Sequence, residues 1–323
     1  MAEMVPFVSP RSREILRADG PMLVSSTGER FPITAGIPRF VGSDSYAAAF
    51  GLEWKRHSKT LLDSALGTSI SRQRLERCLG MPVEALAGKT VLEAGCGAGR
   101  FTELMVGAGA LVHAVDLSVA VEANLENVGA RPNYRVTQAD IRALPFPPGA
   151  FDVVVCLGVL QHLPSPEEGM AALWAMLKPG GLLVIDHYTW TLSLVTKLAP
   201  AYRLLLKRLS PERAKAVTDG LVEVFFPLHW AVRRFRPAQM LLSRISPCLV
   251  YFRDFPQLNK EQHKELTRLD TYDNNTDRYK HLRTLRQIRR TLASLGGVSI
   301  QVAPGGNGVE ARCRKPLATH SAV

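Results

Sequence analysis

From residue 90 onward, short apolar runs alternate with stretches of helical periodicity, and this alternation constrains the fold more than any other feature of the chain. Runs at Thr90–Ala94, Leu111–Val115, Tyr134–Val136, Asp152–Cys156 and Leu182–His187 have the length and composition of strands. Helical patterns such as Arg100–Gly107 and Pro166–Leu177 fill most of the gaps. Strands alternating with helices predict a parallel sheet wound by helices. The stretch MLKPGGLLVID reads as a helix ending at Lys178, a break at Pro179-Gly180-Gly181, and an apolar run entering a strand buried on both faces.

Outside that region the pattern differs. Leu23 to Val41 has short apolar runs broken by Thr-Gly and by Ala-Gly-Ile-Pro, which predicts a small β-hairpin. YAAAFGLEWKRHSKTLLDSALG and RQRLERCLG show helical spacing, interrupted at Gly67 and stopped at Gly80 to Pro82. After His187 the alternation ceases, and 189–280, rich in Leu, Arg, Phe and Pro, is expected to be a mainly helical insertion. A helical run at Leu282–Leu295 follows, and Val298–Ala303 and Val309–Cys313 flank a Pro-Gly-Gly-Asn-Gly turn as a closing hairpin. The expected blocks are therefore 1–84, 85–188, 189–280 and 281–323.

The 323 residues, 46% hydrophobic and 21% charged, suffice for at least one full core. No window reaches about 18 uninterrupted apolar residues, and the N-terminus lacks a basic segment followed by an apolar core, so neither export nor a membrane span is expected. The five cysteines, at 78, 96, 156, 248 and 313, form no CxxC pair. That spacing argues against a disulfide framework or structural zinc and favours a reducing cytoplasm, with each thiol a small buried hydrophobe. Charge is uneven: 1–188 hold 17 Lys/Arg against 19 Asp/Glu, whereas 189–323 hold 23 against 10. A basic, partner-facing surface is expected in the C-terminal part.

The chemistry starts at VLEAGCGAGRF, Val91 to Phe101. A dinucleotide fingerprint needs G-x-G-x-x-G, but Arg100 stands where its third glycine would be. Glu93, two residues before Gly95, would repel a pyrophosphate and suits a ligand carrying positive charge. S-adenosylmethionine, with a sulfonium and an ammonium, is such a ligand.

The E-x-G-x-G-x-G form from Glu93 to Gly99 resembles the first motif of the class I S-adenosylmethionine-dependent methyltransferases, and the resemblance extends over about 85–187 and 282–315. It implies a doubly wound, mostly parallel, Rossmann-like sheet of seven strands, with a helical lid insertion and a small N-terminal hairpin segment. Under it, Gly95, Gly97 and Gly99 let the backbone lie close beneath the methionine and ribose. Asp116, 21 residues past Gly95, would accept from the ribose hydroxyls, the alternative being a helix cap. Leu117 would pack on the adenine, Asp140 would take the adenine amine and Ile141 the ring face, with a turn aspartate as the alternative for Asp140. The backbone at Cys156, Leu157 and Gly158 would meet the methionine amine, and the next helix would start at Ser165-Pro166.

Methyl transfer is an in-line displacement, so the protein chiefly aligns nucleophile and methyl at roughly 3–3.5 Å, and a general base is optional. His162 stands where the family places substrate-facing residues, and Asp186, His187 and Tyr188 leave the fifth strand at its C-terminal end as pocket walls. In LDTYDNNTDRYKHLRT, 269–284, Tyr272, Asp273, Asp277 and His281 are candidates for the acceptor pocket; the alternative is that Thr276 or Asp277 caps the coming helix. Trp54 is a candidate cofactor cover and Asn307 a weaker site candidate. No cysteine precedes Cys78, so no metal is expected in the N-terminal hairpin.

In the insertion, aromatic and aliphatic residues alternate with Arg and Lys. It reads first as a helical lid, second as a surface for a membrane or a lipid-linked acceptor, with Phe225, Phe226 and Trp230 at the boundary, and third as a nucleic-acid contact. The expected activity is methyl transfer from S-adenosylmethionine to a small-molecule or lipid-linked acceptor, first of all at oxygen. A nucleic-acid methyltransferase and a cofactor-binding protein without transfer are the alternatives.

Overall fold

The computed structural model describes residues 3–41, 59–191 and 196–318, so Trp54 lies outside the described residues. They group into two compact units: 3–41, 71–189 and 281–318 form the first, and 59–70, 190–191 and 196–280 the second.

The first unit is built on a seven-stranded sheet. Its strands are β5 (Thr90–Ala94), β6 (Leu111–Asp116), β7 (Tyr134–Gln138), β8 (Phe151–Cys156), β9 (Leu177–Tyr188), β10 (Val298–Gly305) and β11 (Gly308–Arg314), in the order β10-β11-β9-β8-β5-β6-β7. The pairs from β7 across to β9 are parallel; β11 runs antiparallel to both its neighbours. Alternate residues feed two cores. Val91, Val153, Val155 and Val184 point to one, with Leu75 and Leu79 of α2 (Ile70–Leu79), Met105 of α3 (Thr102–Gly107) and Val121 of α4 (Ala120–Val128). Leu92, Val154, Leu183 and Ile185 point to the other, with Leu173 of α5 (Pro166–Met176) and Ile288 of α10 (Leu285–Ser294). Burying each such side chain is worth about 1.5–3 kcal/mol, so a sheet apolar on both faces is stable only when helices cover both. Chain order reverses between β5 and β8, which puts the carboxyl ends of these strands at the position where open α/β sheets bind ligands.

Two points of the sequence reading change in this unit. The expected N-terminal hairpin is present as the antiparallel pair β2 (Met22–Val24) and β3 (Arg30–Thr34), and it is extended by β1 (Arg17–Asp19) and β4 (Ile37–Pro38) into a four-stranded sheet. Strand β1 pairs across Gly20, whose φ of +56° a Cβ would disfavour. This sheet is tied to the main one: the Phe40 amide donates to the Gln138 carbonyl at 2.8 Å, and Arg39 reaches Gln138 Oε1 at 3.0 Å and Glu122 Oε1 at 3.1 Å. The second correction concerns Lys178. Helix α5 already ends at Met176, and β9 starts at Leu177, paired with Phe151; the register then shifts, so Pro179-Gly180-Gly181 is a bulge within the strand, not a break before it.

The second unit is helical, with α1 (Asp63–Leu66), α6 (Ala199–Leu206), α7 (Pro211–Val232), α8 (Arg236–Ile245) and α9 (Lys260–Thr276). Ser210 caps α7 ahead of Pro211, and Asn259 with Gln262 forms a capping box for α9. Val222, Phe226 and Cys248 make a core bordered by Trp230 and Phe252. The stretch 269–284, expected to be a polar junction, instead begins as the last two turns of α9; Asp277 is the C-cap of that helix, and Thr284 caps α10. All five cysteines are buried free thiols. No helix among the described residues is long and apolar enough to cross a membrane.

Candidate functional site

The turn after β5 runs through three glycines at positive φ, +82° at Gly95, +49° at Gly97 and +100° at Gly99. A Cβ on Gly95 would fall 2.2 Å from Val159 Cγ2, and one on Gly99 would fall 3.2 Å from Val128 Cγ2. At Gly95 the neighbouring valine demands glycine whatever ligand lies above, and at Gly99 the contact is tight and the positive φ disfavours a side chain. Arg100 is turned away: its Nε donates to Ser71 Oγ at 2.8 Å and its guanidinium lies 5.0 Å from the Phe101 ring centroid.

Glu93 is only 3% exposed. Thr102 Oγ1 donates to its Oε2 at 2.6 Å, Asn124 Nδ2 donates to Thr102 Oγ1 at 3.0 Å, and the Tyr134 hydroxyl donates to Asn124 Oδ1 at 2.5 Å. Asn124 also donates to the Gly97 carbonyl at 3.2 Å, so one relay fixes both the carboxyl and the turn. Burial pushes the Glu93 pKa up from 4.5 to about 8; the Thr102 hydrogen bond opposes this and the Asp116 charge adds to it. A carboxyl of this kind is costly to ionise alone and becomes an anion readily beside a cation.

Asp116 clasps the turn from the end of β6. Its Oδ2 accepts from the Gly97 amide at 2.9 Å, and its Oδ1 from the Ser118 amide at 2.8 Å and hydroxyl at 2.7 Å. Leu117, half-buried, follows, its carbonyl held by Gln138 Nε2 at 2.9 Å. Asp140 caps the 3-10 turn Ile141–Ala143 and is also engaged by the Arg142 guanidinium at 2.7 Å. Ile141 and Leu157 are buried in the two cores.

At the carboxyl ends of β8 and β9, Asp186 is enclosed; it accepts from the Gly158 amide at 2.6 Å and pairs with Arg74 at 2.5 Å. Asn307 lies beside Gly158, 3.8 Å from where a Cβ would stand. His162, in the 3-10 turn Leu160–His162, meets the Tyr188 ring edge-on at 5.4 Å. The His281 amide donates to the Gln161 carbonyl and the Arg283 amide to the Tyr188 carbonyl, each at 2.9 Å. The structure thus gathers His162, His187, Tyr188 and His281 in one cluster. Tyr272 and Asp273 belong to α9 of the helical unit, where Tyr272 is buried with the Lys215 ammonium 5.9 Å from its ring, and Asp277 is ion-paired with Arg203. The sequence reading missed Thr102, Asn124 and Tyr134, which a single carboxylate motif does not signal, and Gln161, whose neighbour His162 drew attention instead.

A family model described as a methyltransferase domain matches residues 92–185. The chain is 41% identical over 100 residues to the ubiquinone biosynthesis O-methyltransferase of Thiobacillus denitrificans, covering 30% of this chain and 43% of that protein. It is 44% identical over 106 residues to the protein of the same name from Pseudomonas paraeruginosa, covering 31% and 45%. The chain thus spans less than half the length of the curated relatives it matches. Among solved structures, a magnesium protoporphyrin IX methyltransferase from Synechocystis with bound S-adenosylhomocysteine aligns with 83% of this chain and 95% of its own at 16% identity, with a TM-score of 0.42. The matched segment runs from Leu92 in β5 to Ile185 in β9 and holds the glycine turn, Glu93, Asp116 and the turn after β8. This segment is thus similar to methyltransferase domains, and the seven-stranded, mostly parallel sheet around it has the class I methyltransferase fold.

Proposed function

We propose that the protein transfers a methyl group from S-adenosylmethionine to a hydroxyl of a small or lipid-linked organic acceptor. The buried Glu93 carboxyl beneath a positive-φ glycine turn carries this reading, because it favours a cationic nucleoside over a diphosphate. Glu93, Gly95, Gly97, Gly99, Asp116, Leu117, Asp140, Ile141 and Leu157 are the residues assigned to hold the cofactor. When bound, it supplies an activated methyl group on a sulfonium. The O-methyltransferase names of the relatives support oxygen as the atom methylated. His162 and His281 are proposed to face the acceptor. A positioned base would add about 10²- to 10⁴-fold in rate.

A second observation favours peripheral contact with a membrane. Helix α8 buries none of its side chains, and its segment exposes Phe235 (64%) and Leu241 (68%) beside Arg233, Arg234, Arg236 and Arg244. Apolar residues interleaved with arginine suit an anionic lipid surface.

Calorimetry with purified protein tests the cofactor assignment: S-adenosylmethionine should give saturable heat and NAD none, and the reverse outcome removes the proposal. Incubation with methyl-labelled cofactor and a host extract tests transfer. Label in a small or lipid-soluble product supports it; label confined to nucleic acid, or tight binding without S-adenosylhomocysteine formation, favours the alternatives.

A further inference from the structure

A cavity of about 230 Å³ opens beside the N-terminal sheet, between the turn at 9–12, strand β3 and the segment that leads from β4 to the main sheet. Three arginines line it, Arg11, Arg30 and Arg39, against one carboxylate, Glu29, which leaves a formal charge of 3 − 1 = +2. They gather within 1–188, where acidic residues outnumber basic ones 19 to 17, so general basicity does not account for them. Like charges held together repel, and an anion among them removes that cost.

The three arginines are presented by different means. Arg39 is only 9% exposed; its Nη1 and Nη2 donate to Gln138 Oε1 at 3.0 Å and Glu122 Oε1 at 3.1 Å, which spends two of the five N–H donors of a guanidinium. Arg30 stands 3.8 Å from Asp19, too far for a hydrogen bond, and both side chains are more than half exposed. Arg11 is exposed on a turn whose backbone is fixed, since the Arg11 and Ser12 amides donate to Ser9 Oγ at 3.0 and 3.1 Å. Glu29 is already engaged, because the Ser12 hydroxyl donates to it and the Arg11 charge lies near it. Beside these charges the lining is aromatic: the Phe31 and Phe40 rings lie 4.9 Å apart, and Phe40 packs in turn on Phe7 at 5.6 Å.

We propose that this cavity binds a phosphate monoester of a small aromatic molecule, with the phosphate on Arg11, Arg30 and Arg39 and the ring against Phe31 and Phe40. Guanidinium groups pair with phosphate through two parallel N–H···O bonds, and a preformed set of them gives orientation as well as charge. The excess of two positive charges matches a phosphate whose second ionisation, at a pKa of about 6, is complete above neutrality. A carboxylate would leave one charge unanswered. The volume falls below the roughly 300–1,000 Å³ of drug-sized sites, which limits the ligand to a single ring. A cationic nucleoside is repelled by this lining, so the site is distinct from the cofactor turn and does not depend on the methyl-transfer reading.

The test is calorimetry on the whole chain just above neutral pH, with phenyl phosphate as probe, in the presence and absence of S-adenosylhomocysteine. Saturable heat is expected in both conditions, and binding should weaken as salt rises. Arg11→Gln and Arg30→Gln, both on exposed side chains, should each weaken binding about tenfold with little change in melting temperature. Inorganic phosphate, which lacks the ring, and benzoate, which has one charge, should each bind about tenfold or more weakly than phenyl phosphate. The titration of the parent protein needs no variant. Absence of saturable heat, parent-like binding by both variants, or loss of binding when S-adenosylhomocysteine is present overturns the site. Inorganic phosphate or benzoate binding as tightly as phenyl phosphate overturns the ligand class. None of these outcomes alters the case for methyl transfer.

Discussion

The backbone amide of Gly97 donates to the Asp116 carboxylate at 2.9 Å, so the glycine turn and the end of the neighbouring strand are one mechanical piece. The same carboxylate holds Ser118 by two further bonds. Hydrogen bonds to a charged group contribute about 1.5–3 kcal/mol each, although removing one acceptor lets water replace part of that. Asp116→Ala should therefore weaken S-adenosylmethionine binding by about 10- to 100-fold in calorimetry, and Asp116→Asn should do less harm because it keeps one acceptor. Equal affinity in all three proteins would show that the carboxylate only shapes the turn.

Glu93 gives the pH dependence a definite sign. Its folded pKa, about 8, lies above the ordinary 4.5, so between those values the folded chain keeps a proton that the unfolded chain has released. Stability from this group is fully present below about 4.5, falls as pH rises to about 8, and is level beyond. Denaturation midpoints of the ligand-free protein should fall across that window, and Glu93→Gln should flatten the fall.

The same shift predicts proton release on binding. A cation beside Glu93 favours its anion, so S-adenosylmethionine should displace up to about one proton at pH 7. Titrations in buffers of different ionisation enthalpy measure it directly. Release that persists undiminished in Glu93→Gln would assign it to another group.

Gly95 faces Val159 so closely that the two should be coupled. Gly95→Ala adds a Cβ at a φ of +82° and within 2.2 Å of Val159 Cγ2. Left-handed strain at a non-glycine residue costs about 1–3 kcal/mol before the clash is counted. Val159→Ala should restore part of the lost melting temperature. Additive losses would mean that the backbone conformation alone, and not the contact, forbids a side chain there.

Membrane contact is measurable through α8. The protein should co-sediment with vesicles rich in anionic phospholipid and not with zwitterionic ones, and rising salt should release it. Leu241→Asp, on a side chain 68% exposed, should abolish co-sedimentation with little loss of thermal stability. Retained binding by that variant would remove α8 from the interaction.

The parallel sheet was legible because strands buried on both faces are nearly continuous apolar runs, and Thr90–Ala94 was read to the residue. The start of β9 was not, since Pro179-Gly180-Gly181 carries the composition of a chain break whether or not the strand resumes its partner afterwards. The end of α9 was hidden by its polarity. LDTYDNNT looks like a loop, yet Asn275 Nδ2 and Thr276 Oγ1 donate back to the carbonyls of Thr271 and Tyr272 at 2.7 and 2.9 Å, spending their side chains within the helix. For the site, motif spacing located Glu93 and Asp116, but the relay through Thr102, Asn124 and Tyr134 joins residues from three elements. The tautomer of His187 likewise depends on a carbonyl orientation that residue identity does not specify.

Val159 links the glycine turn to the loop after β8: its methyls crowd Gly95 on one side, and Gln161 lies two residues further along the same short loop. Whatever moves the glycine turn therefore presses on that loop. The valine acts as a spacer, so the tightness of the turn and the placing of the loop are one adjustment, not two.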